Sequence, residues 1–254
     1  MEALQLQTRD AALWVTLNRP AQRNAINEAL MRAMREAIEQ AGNDRSLSAI
    51  VITGAGERAF CAGADLQGGD AFKFDYGTPS LPYANLLRAA HDSAIPLIAR
   101  VNGACVAGGM GLLAMCDMAI ASDQAVFGLP EVKVGLFPMQ VLSVLQRILP
   151  SRSLYELCLT GEPIDAQEAR QLGLVNYVVP QAELDAKMGW LLGRLQDKSP
   201  TAIRRGRYAM RRVESMAFEE AIAFTESQIG LMAMTDDARE GMQAFREKRK
   251  PVWR

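Results

Sequence analysis

Apolar and polar positions follow two different patterns along the chain. In the first two-thirds, short apolar runs end at glycine-rich segments and alternate with amphipathic stretches. The run at 48–53 is apolar and β-branched up to Gly54, which predicts a buried strand. Alternating apolar positions at 4–7 and 13–17 predict two further strands around a turn.

Helical periodicity appears first at 24–40, where Ile26 and Leu30 begin a four-residue repeat of apolar side chains. Asn24 is the expected N-cap of this helix. The segment 68–82 has no clear period and is predicted to be a surface loop. Beyond residue 180 the pattern is helical throughout, with helices predicted at 181–195, 201–212, 218–234 and 236–248.

The change of pattern predicts an α/β fold, with a mixed core over residues 1–195 and a helical region over residues 196–254. A length of 254 residues suits one large domain or a core with a small appendage. The basic clusters at 204–212 and 246–254 are predicted to be solvated helix faces.

Composition argues against several classes of function. With a net charge of −1, the chain has no overall field that would attract nucleic acid. There is no uncharged apolar stretch of about 18 residues to predict a membrane span, and no signal peptide is recognisable. The four cysteines lie in apolar surroundings without metal-ligand spacing, so we expect buried thiols in a reducing, cytoplasmic compartment.

Side chains that support covalent, metal or nucleotide chemistry are scarce. His91 is the one histidine, which argues against Ser-His-Asp and Cys-His mechanisms and against a metal site. Gly54 and Gly56 lack the third glycine of a dinucleotide loop, and no glycine loop continues into Lys-Ser or Lys-Thr. Backbone donors and carboxylates therefore remain as the candidate chemistry.

Two glycine-rich segments carry the strongest functional signal. The first is AFCAGADL at 59–66, and the second is AGGMGLLAMCD at 107–117. Each follows a predicted strand, and the second opens a predicted helix. Small residues at such a junction allow backbone N–H groups to approach a ligand, with the helix N-terminus adding positive potential. A pair of N–H groups stabilises negative charge that develops on a carbonyl oxygen.

These two segments resemble the oxyanion-hole segments of the crotonase superfamily, also called the enoyl-CoA hydratase/isomerase family. The resemblance covers the chain from end to end and implies a crotonase-like spiral of ββα units with a helical C-terminal region. Further similar segments follow in the family's order: LNRP at 17–20, NAIN at 24–27, FGLPEV at 127–132, GLFP at 135–138, TGE at 160–162 and EGMQAFREKR at 240–249.

The resemblance also implies catalytic roles. The amides of Ala64 and Gly108 would hold the thioester oxygen of an acyl-CoA substrate, and Glu131 would move the proton. Hydratases of the family usually carry a second glutamate three residues after the second oxyanion glycine, where this chain has Gly111. The dienoyl-CoA isomerase of the family carries an acid at the position of Met139, which is likewise missing here.

One carboxylate leaves the reaction open. Moving a double bond from the 3,4 to the 2,3 position needs one base, and one carboxylate also suffices for hydration if it takes a proton from water and passes it on. The chemistry slightly favours isomerisation, whereas the wider pattern around Glu131 is closer to hydratases. We therefore expect hydration of 2-enoyl-CoA first and 3,2-enoyl-CoA isomerisation second. A decarboxylase, a hydrolase and an inactive CoA-binding protein are further alternatives.

Coenzyme A would enter as part of the substrate, so no separate cofactor is expected from the resemblance. Basic side chains would pair with its phosphates. The helical region would associate the chain into a homotrimer or a dimer of trimers. The residues that the resemblance implies in substrate binding are Arg23, Asn24, Ala25, Ile26, Ala62, Gly63, Asp65, Leu66, Gly109, Gly111, Met139, Phe245 and Lys248.

Overall fold

The chain folds into two β-sheets packed among helices, in a computed structural model that describes residues 2–65 and 77–253. The strands are β1 Leu4–Arg9, β2 Ala12–Leu17, β3 Ala49–Gly54, β4 Ala59–Cys61, β5 Leu97–Val101, β6 Ala104–Val106, β7 Met118–Ser122, β8 Val126–Gly128, β9 Ile164–Asp165 and β10 Tyr177–Val179. The helices are α1 Glu28–Asn43, α2 Pro82–Asp92, α3 Gly108–Ala114, α4 Met139–Leu145, α5 Ser151–Thr160, α6 Ala166–Gln171, α7 Leu184–Gln196, α8 Pro200–Val213, α9 Phe218–Ala233 and α10 Asp236–Glu247. Short 3-10 helices lie at Pro20–Gln22, Pro130–Val134 and Gln181–Glu183.

The strand order builds a repeated unit. The larger sheet has the order β1-β2-β3-β5-β7-β10, and the smaller sheet has the order β4-β6-β8-β9. After the antiparallel β1–β2 pair, the chain three times places one strand in the larger sheet, the next strand in the smaller sheet, and then a helix. Neighbouring strands of successive units pair in parallel. This spiral of ββα units confirms the predicted fold class.

The larger sheet separates two hydrophobic layers. β3 is buried at all six residues, and its side chains alternate between the layers. Ile50 joins the main core with side chains of α1 and α2, whereas Val51 packs on the other face with Leu184 and Met188 of α7. Burial on both faces explains why the run at 49–52 is apolar without interruption.

The first helix begins later than its apolar repeat predicts. α1 starts at Glu28, and the Asn27 side chain caps it by accepting a hydrogen bond from the amide three residues on, at 3.0 Å. The prediction of Asn24 as N-cap is therefore wrong. Ile26 instead pairs with Ala64 in an isolated parallel bridge, which keeps the chain extended and delays the helix.

The last third is helical as predicted, and α8 is joined to the core by a partly buried ion pair. The Arg207 guanidinium donates to Asp117 at 2.8 Å and to the Ala90 carbonyl in the last turn of α2 at 2.7 Å. Arg207 is 7% exposed, so the prediction of a solvated basic face at 204–212 is wrong at this residue. A local pattern cannot reveal the pairing because Asp117 lies 90 positions earlier in the chain.

The helices after α7 leave a set of large apolar side chains exposed, while α10 packs on α8 and α9. A boundary at residue 195 stays a prediction, since α7 packs on the larger sheet and ends one residue later. No helix within residues 2–65 and 77–253 is long and apolar enough to cross a membrane. The exposed apolar side chains of α8 to α10 include Met210, Phe218, Ile222, Ile229, Met242 and Phe245.

Candidate active site

The first glycine-rich segment is held against the chain at 23–26. Ile26 donates to the Gly63 carbonyl and accepts from the Asp65 amide, both at 2.8 Å. In a parallel bridge of this kind, the middle residue Ala64 turns its own N–H away from Ile26. Among the described residues, the Ala64 amide has no hydrogen-bond acceptor. This N–H group is therefore available to a ligand.

The second segment lies directly beside the first. Gly108 opens α3, and the Ala64 amide nitrogen lies 3.8 Å from the position that a Cβ atom on Gly108 would occupy. A Cβ atom on Gly63 would lie 3.2 Å from the Gly108 nitrogen and 2.7 Å from the Cβ of Ala107, so only glycine allows this approach. The Gly108 amide also lacks an acceptor in the part of the chain that the structure describes. Two unpartnered amides are thus adjacent.

Ala107 turns the chain into α3 in a strained conformation. Its φ of 51° and ψ of −127° fall outside the regions that L-residues favour, and such strain costs about 1–3 kcal/mol. Its amide donates to the Gly128 carbonyl at 2.9 Å, which ties the turn to the end of β8. Because α3 has only seven residues, the individual amides at its start, rather than a long helix dipole, are the hydrogen-bond donors beside Ala64.

Glu131 lies three residues beyond Gly128, on the 3-10 helix that follows β8. Its Oε2 is buried and has no hydrogen-bond partner within the described ranges. Burial raises the pKa of this carboxyl, and a hydrogen bond with its own backbone opposes the shift. A carboxyl with a raised pKa is better matched to proton transfer near neutral pH than an ordinary surface glutamate.

Tyr83, in the first turn of α2, contacts the second segment. Its hydroxyl donates to the Gly108 carbonyl at 2.5 Å. A Cβ atom on Gly111 would overlap this hydroxyl and would lie 3.1 Å from the Cζ of the tyrosine. Burial raises the pKa of Tyr83 well above its ordinary value, and smaller contributions come from two cysteines and from Glu131. A neutral hydroxyl therefore occupies the side-chain space of Gly111.

Asn24 and Asp65, both implied in substrate binding, have scaffold contacts in this structure. Asn24 is 1% exposed and donates to the Ala59 carbonyl at 2.7 Å. Asp65 accepts from the Arg19 guanidinium at 2.6 Å, and the same guanidinium donates to the Ala25 carbonyl at 2.7 Å. Arg19 therefore joins the two segments of the bridge and fixes the position of the Ala64 amide.

Other predicted residues line the same bridge or pack behind it. The Ala62 amide donates to the Arg23 carbonyl at 3.0 Å. The Arg23 side chain is exposed and has no ion-pair partner among residues 2–65 and 77–253. A Cβ atom on Gly109 would overlap the Cys61 carbonyl oxygen, so this glycine permits close packing of α3 on β4.

Three further predicted residues lie at α4 and α10. Met139 is 71% exposed at the start of α4. Phe245 and Lys248 lie on α10 and at its C-cap, and no described hydrogen bond or ion pair connects them with the two amides. Leu66 and the predicted loop up to residue 76 lie outside the described residues.

The sequence as a whole matches one protein family. A profile of the enoyl-CoA hydratase/isomerase family covers residues 7–254. The chain belongs to this family. Its relatives include the enoyl-CoA hydratase EchA19 of Mycobacterium tuberculosis, which is 37% identical over 97% of this chain and 94% of the relative. The 2,3-dehydroadipyl-CoA hydratase of Escherichia coli is 36% identical over 99% of this chain and 98% of the relative.

Solved structures of the family share the fold. The crystal structure of an enoyl-CoA hydratase from Mycobacterium smegmatis matches with a TM-score of 0.92 at 32% identity, covering 100% of this chain and 99% of that chain. The human enoyl-CoA hydratase domain-containing protein 3 matches with a TM-score of 0.91 at 29% identity, covering 99% and 100%. The family resemblance and the crotonase-like fold are thereby confirmed.

The sequence did not predict two residues that contact the glycine-rich segments, Tyr83 and Arg19. Tyr83 follows Pro82 at a helix start, and that pattern signals only where a helix begins. Arg19 lies in the LNRP motif at 17–20, but its pairing with Asp65 spans 46 positions. Neither contact leaves a periodic or spaced signal, because both depend on how the β-bridge and α2 are placed in space.

Proposed function

We propose that this family member is an enzyme that hydrates 2-enoyl-CoA to 3-hydroxyacyl-CoA through a thioester enolate. The observation that carries the proposal is a pair of adjacent unpartnered amides, on Ala64 and Gly108, tied through Ala107 to the segment that bears Glu131. The amides offer an anion site, and the unpartnered Oε2 of Glu131 offers a base. The names of the two hydratase relatives support the same reaction class.

In the proposed reaction, the thioester oxygen accepts hydrogen bonds from both amides. Glu131 takes a proton from water, the oxygen of that water bonds to C3, and the C2–C3 π electrons move onto the thioester oxygen as an enolate. The enolate then re-forms the carbonyl while Glu131 returns its proton to C2. One water is added and no other reactant is needed. Each amide would contribute about 3–4 kcal/mol to lowering the barrier.

The coenzyme A part of the substrate would lie along the bridge. Arg23 is an exposed cation on this segment, and its guanidinium suits a phosphate. Lys248 would reach the phosphates from a neighbouring subunit, whereas the neighbouring Arg249 is engaged with Glu240 and Glu247, both at 2.6 Å.

A 3,2-enoyl-CoA isomerase is the second candidate, because the proposed proton transfer relies on a single carboxylate, that of Glu131, and the Tyr83 hydroxyl fills the space at Gly111. A panel of 2-enoyl- and 3-enoyl-CoA thioesters in deuterated water separates the two reactions. We expect 2-enoyl substrates to gain one water and one deuterium at C2. Conversion of 3-enoyl to 2-enoyl substrates without added water would favour the isomerase. No turnover with retained binding would favour a non-catalytic CoA-binding protein.

Assembly through the exposed apolar side chains of α8 to α10 is part of the proposal. Phe218 is 76% exposed and Phe245 is 86% exposed, which is unusual for aromatic side chains of a monomer. We expect a trimer or a dimer of trimers whose interfaces each bury at least about 1,000 Å². Light scattering at micromolar concentration should give three or six times the chain mass. A monomer would contradict this prediction.

A further inference from the structure

Tyr83 is placed to control the conformation of Gly108. The tyrosine hydroxyl donates to the Gly108 carbonyl, while the Gly108 amide is one of the two unpartnered donors. Gly108 has no side chain and is followed by a second glycine, so its backbone is less restricted than that of other residues. A hydrogen bond to its carbonyl restricts that freedom at the residue whose amide would bind the substrate oxygen.

The tyrosine itself is firmly held. Tyr83 is 8% exposed and lies on the buried face of α2 with Leu86, Leu87 and Ala90. The far end of the helix is fixed by Arg207, which donates to the Ala90 carbonyl at 2.7 Å and to the His91 carbonyl at 3.1 Å. The packing of α2 and of the ring therefore holds the hydroxyl against Gly108.

The hydroxyl also has a defined hydrogen-bonding role. Burial raises the pKa of Tyr83 well above its ordinary value, so the phenol stays protonated and donates. A phenol has a single O–H, and the Gly108 carbonyl accepts it. The Tyr83 hydroxyl is therefore bonded to the backbone of the second glycine-rich segment, and any effect it has on a ligand passes through that backbone.

We propose that Tyr83 is a positioning residue that sets the orientation of the Gly108 amide toward the thioester oxygen. The inference rests on the proposed function, since it assigns Tyr83 to the same acyl-CoA site. It also explains why Gly111 has no side chain: the space that a side chain there would enter belongs to the tyrosine hydroxyl.

The test replaces the hydroxyl alone, in full-length Tyr83→Phe. Hexanoyl-CoA labelled with ¹³C at the carbonyl is the probe, because its acyl chain has no carbon–carbon double bond to react. In the wild type, infrared difference spectra should show the bound carbonyl band shifted to lower frequency by the two amides. In Tyr83→Phe we expect a smaller shift with an unchanged Kd for hexanoyl-CoA. We also expect kcat on a 2-enoyl-CoA to fall roughly 10- to 100-fold, less than the loss of a whole donor, with KM within about threefold.

Tyr177→Phe is the matched control. Tyr177 packs edge-on against Trp190 with ring centroids 5.7 Å apart, away from both glycine-rich segments. The Tyr177→Phe variant should leave the carbonyl band of bound hexanoyl-CoA and the kinetics unchanged. If Tyr83→Phe does not fold, 3-fluorotyrosine at position 83 keeps the packing, and its ¹⁹F resonance should move when hexanoyl-CoA binds.

Any of three results overturns the proposal. The first is a carbonyl band of hexanoyl-CoA that shifts in Tyr83→Phe as far as in the wild type, and the second is a kinetic change in Tyr83→Phe that is confined to KM. The third is a ¹⁹F resonance of 3-fluorotyrosine that does not move when hexanoyl-CoA binds. A wild-type protein that binds no hexanoyl-CoA, or binds it without any carbonyl shift, would instead contradict the proposed function itself. The two failures are therefore distinguishable.

Discussion

Asp117 and Glu131 are two carboxylates with opposite surroundings. Asp117, just beyond α3, accepts from the Leu97 amide and from two arginines, Arg207 and Arg211, each at 2.8 Å. Glu131 has a buried oxygen without a partner among the described residues, and burial raises its pKa. A carboxylate with all its partners stabilises a fold, whereas one that is desolvated and unpartnered is available to move a proton. The contrast separates the scaffold from the candidate chemistry.

Glu131→Gln should have the largest effect on activity. The amide is nearly isosteric and cannot accept a proton, so kcat should fall by about 10²–10⁴-fold while CoA-thioester binding is kept. Steady-state kinetics and calorimetric binding of hexanoyl-CoA measure the two effects. Glu162→Gln is the control, because this exposed carboxylate pairs with Lys133 at 2.8 Å on the protein surface. Wild-type turnover in Glu131→Gln would end the proton-transfer proposal.

Asp117→Asn should lower the stability of the fold and leave kcat unchanged, the reverse of what we expect for Glu131→Gln. Buried Arg207 would lose the carboxylate it pairs with, whereas Arg211 would keep its ion pair with Glu214 at 3.2 Å. The free energy of unfolding should therefore fall by about 3 kcal/mol, mainly because of Arg207. The folded fraction should keep its kcat, since no proposed step uses Asp117. Urea unfolding and kinetics on the same sample measure both. In the control Asp92→Asn, the change should stay below about 0.5 kcal/mol, because the Asp92 side chain is 61% exposed. A large loss of kcat at full stability would erase the distinction between the two carboxylates.

The sequence predicts the strands and helices around these carboxylates better than it predicts the side-chain contacts. The buried strand at 48–53 and the terminal helices are local patterns, and the structure contains them within a few residues. Asn24 was misassigned because its long-range bonds replace a helix cap. Arg207 looks like its solvated neighbours in sequence, and only the fold sets it against Asp117. Tyr83 has no distinguishing pattern, since its role depends on a backbone carbonyl 25 positions away.

Gly111→Ala tests whether the Tyr83 hydroxyl occupies the space at Gly111, the position where hydratases of the family usually carry a second glutamate. The added methyl overlaps the Tyr83 hydroxyl, so overpacking should lower the free energy of unfolding by about 2 kcal/mol. In a Tyr83→Phe background the overlapping oxygen is gone, and part of this loss should be recovered. Gly189→Ala on α7 is the control, because nothing lies within 4 Å of its added Cβ. Strictly additive effects in the double variant would show that the two residues do not compete for one space.

The smallest expected effect is a pH dependence of stability that belongs to Glu131 alone. Because its folded pKa lies above the unfolded value, the native state binds the proton over a pH window in which the unfolded chain has released it. Across that window, from the ordinary glutamate pKa up to the raised one, the wild type should lose stability as the pH rises. Glu131→Gln does not titrate, so its stability relative to the wild type should increase through the same window. The gain should stay below about 1 kcal/mol because solvent screens a half-buried carboxyl. Urea unfolding of both proteins between pH 4.5 and 8 measures the difference, and a difference that is flat or of opposite sign would show that burial does not raise the pKa of this carboxyl.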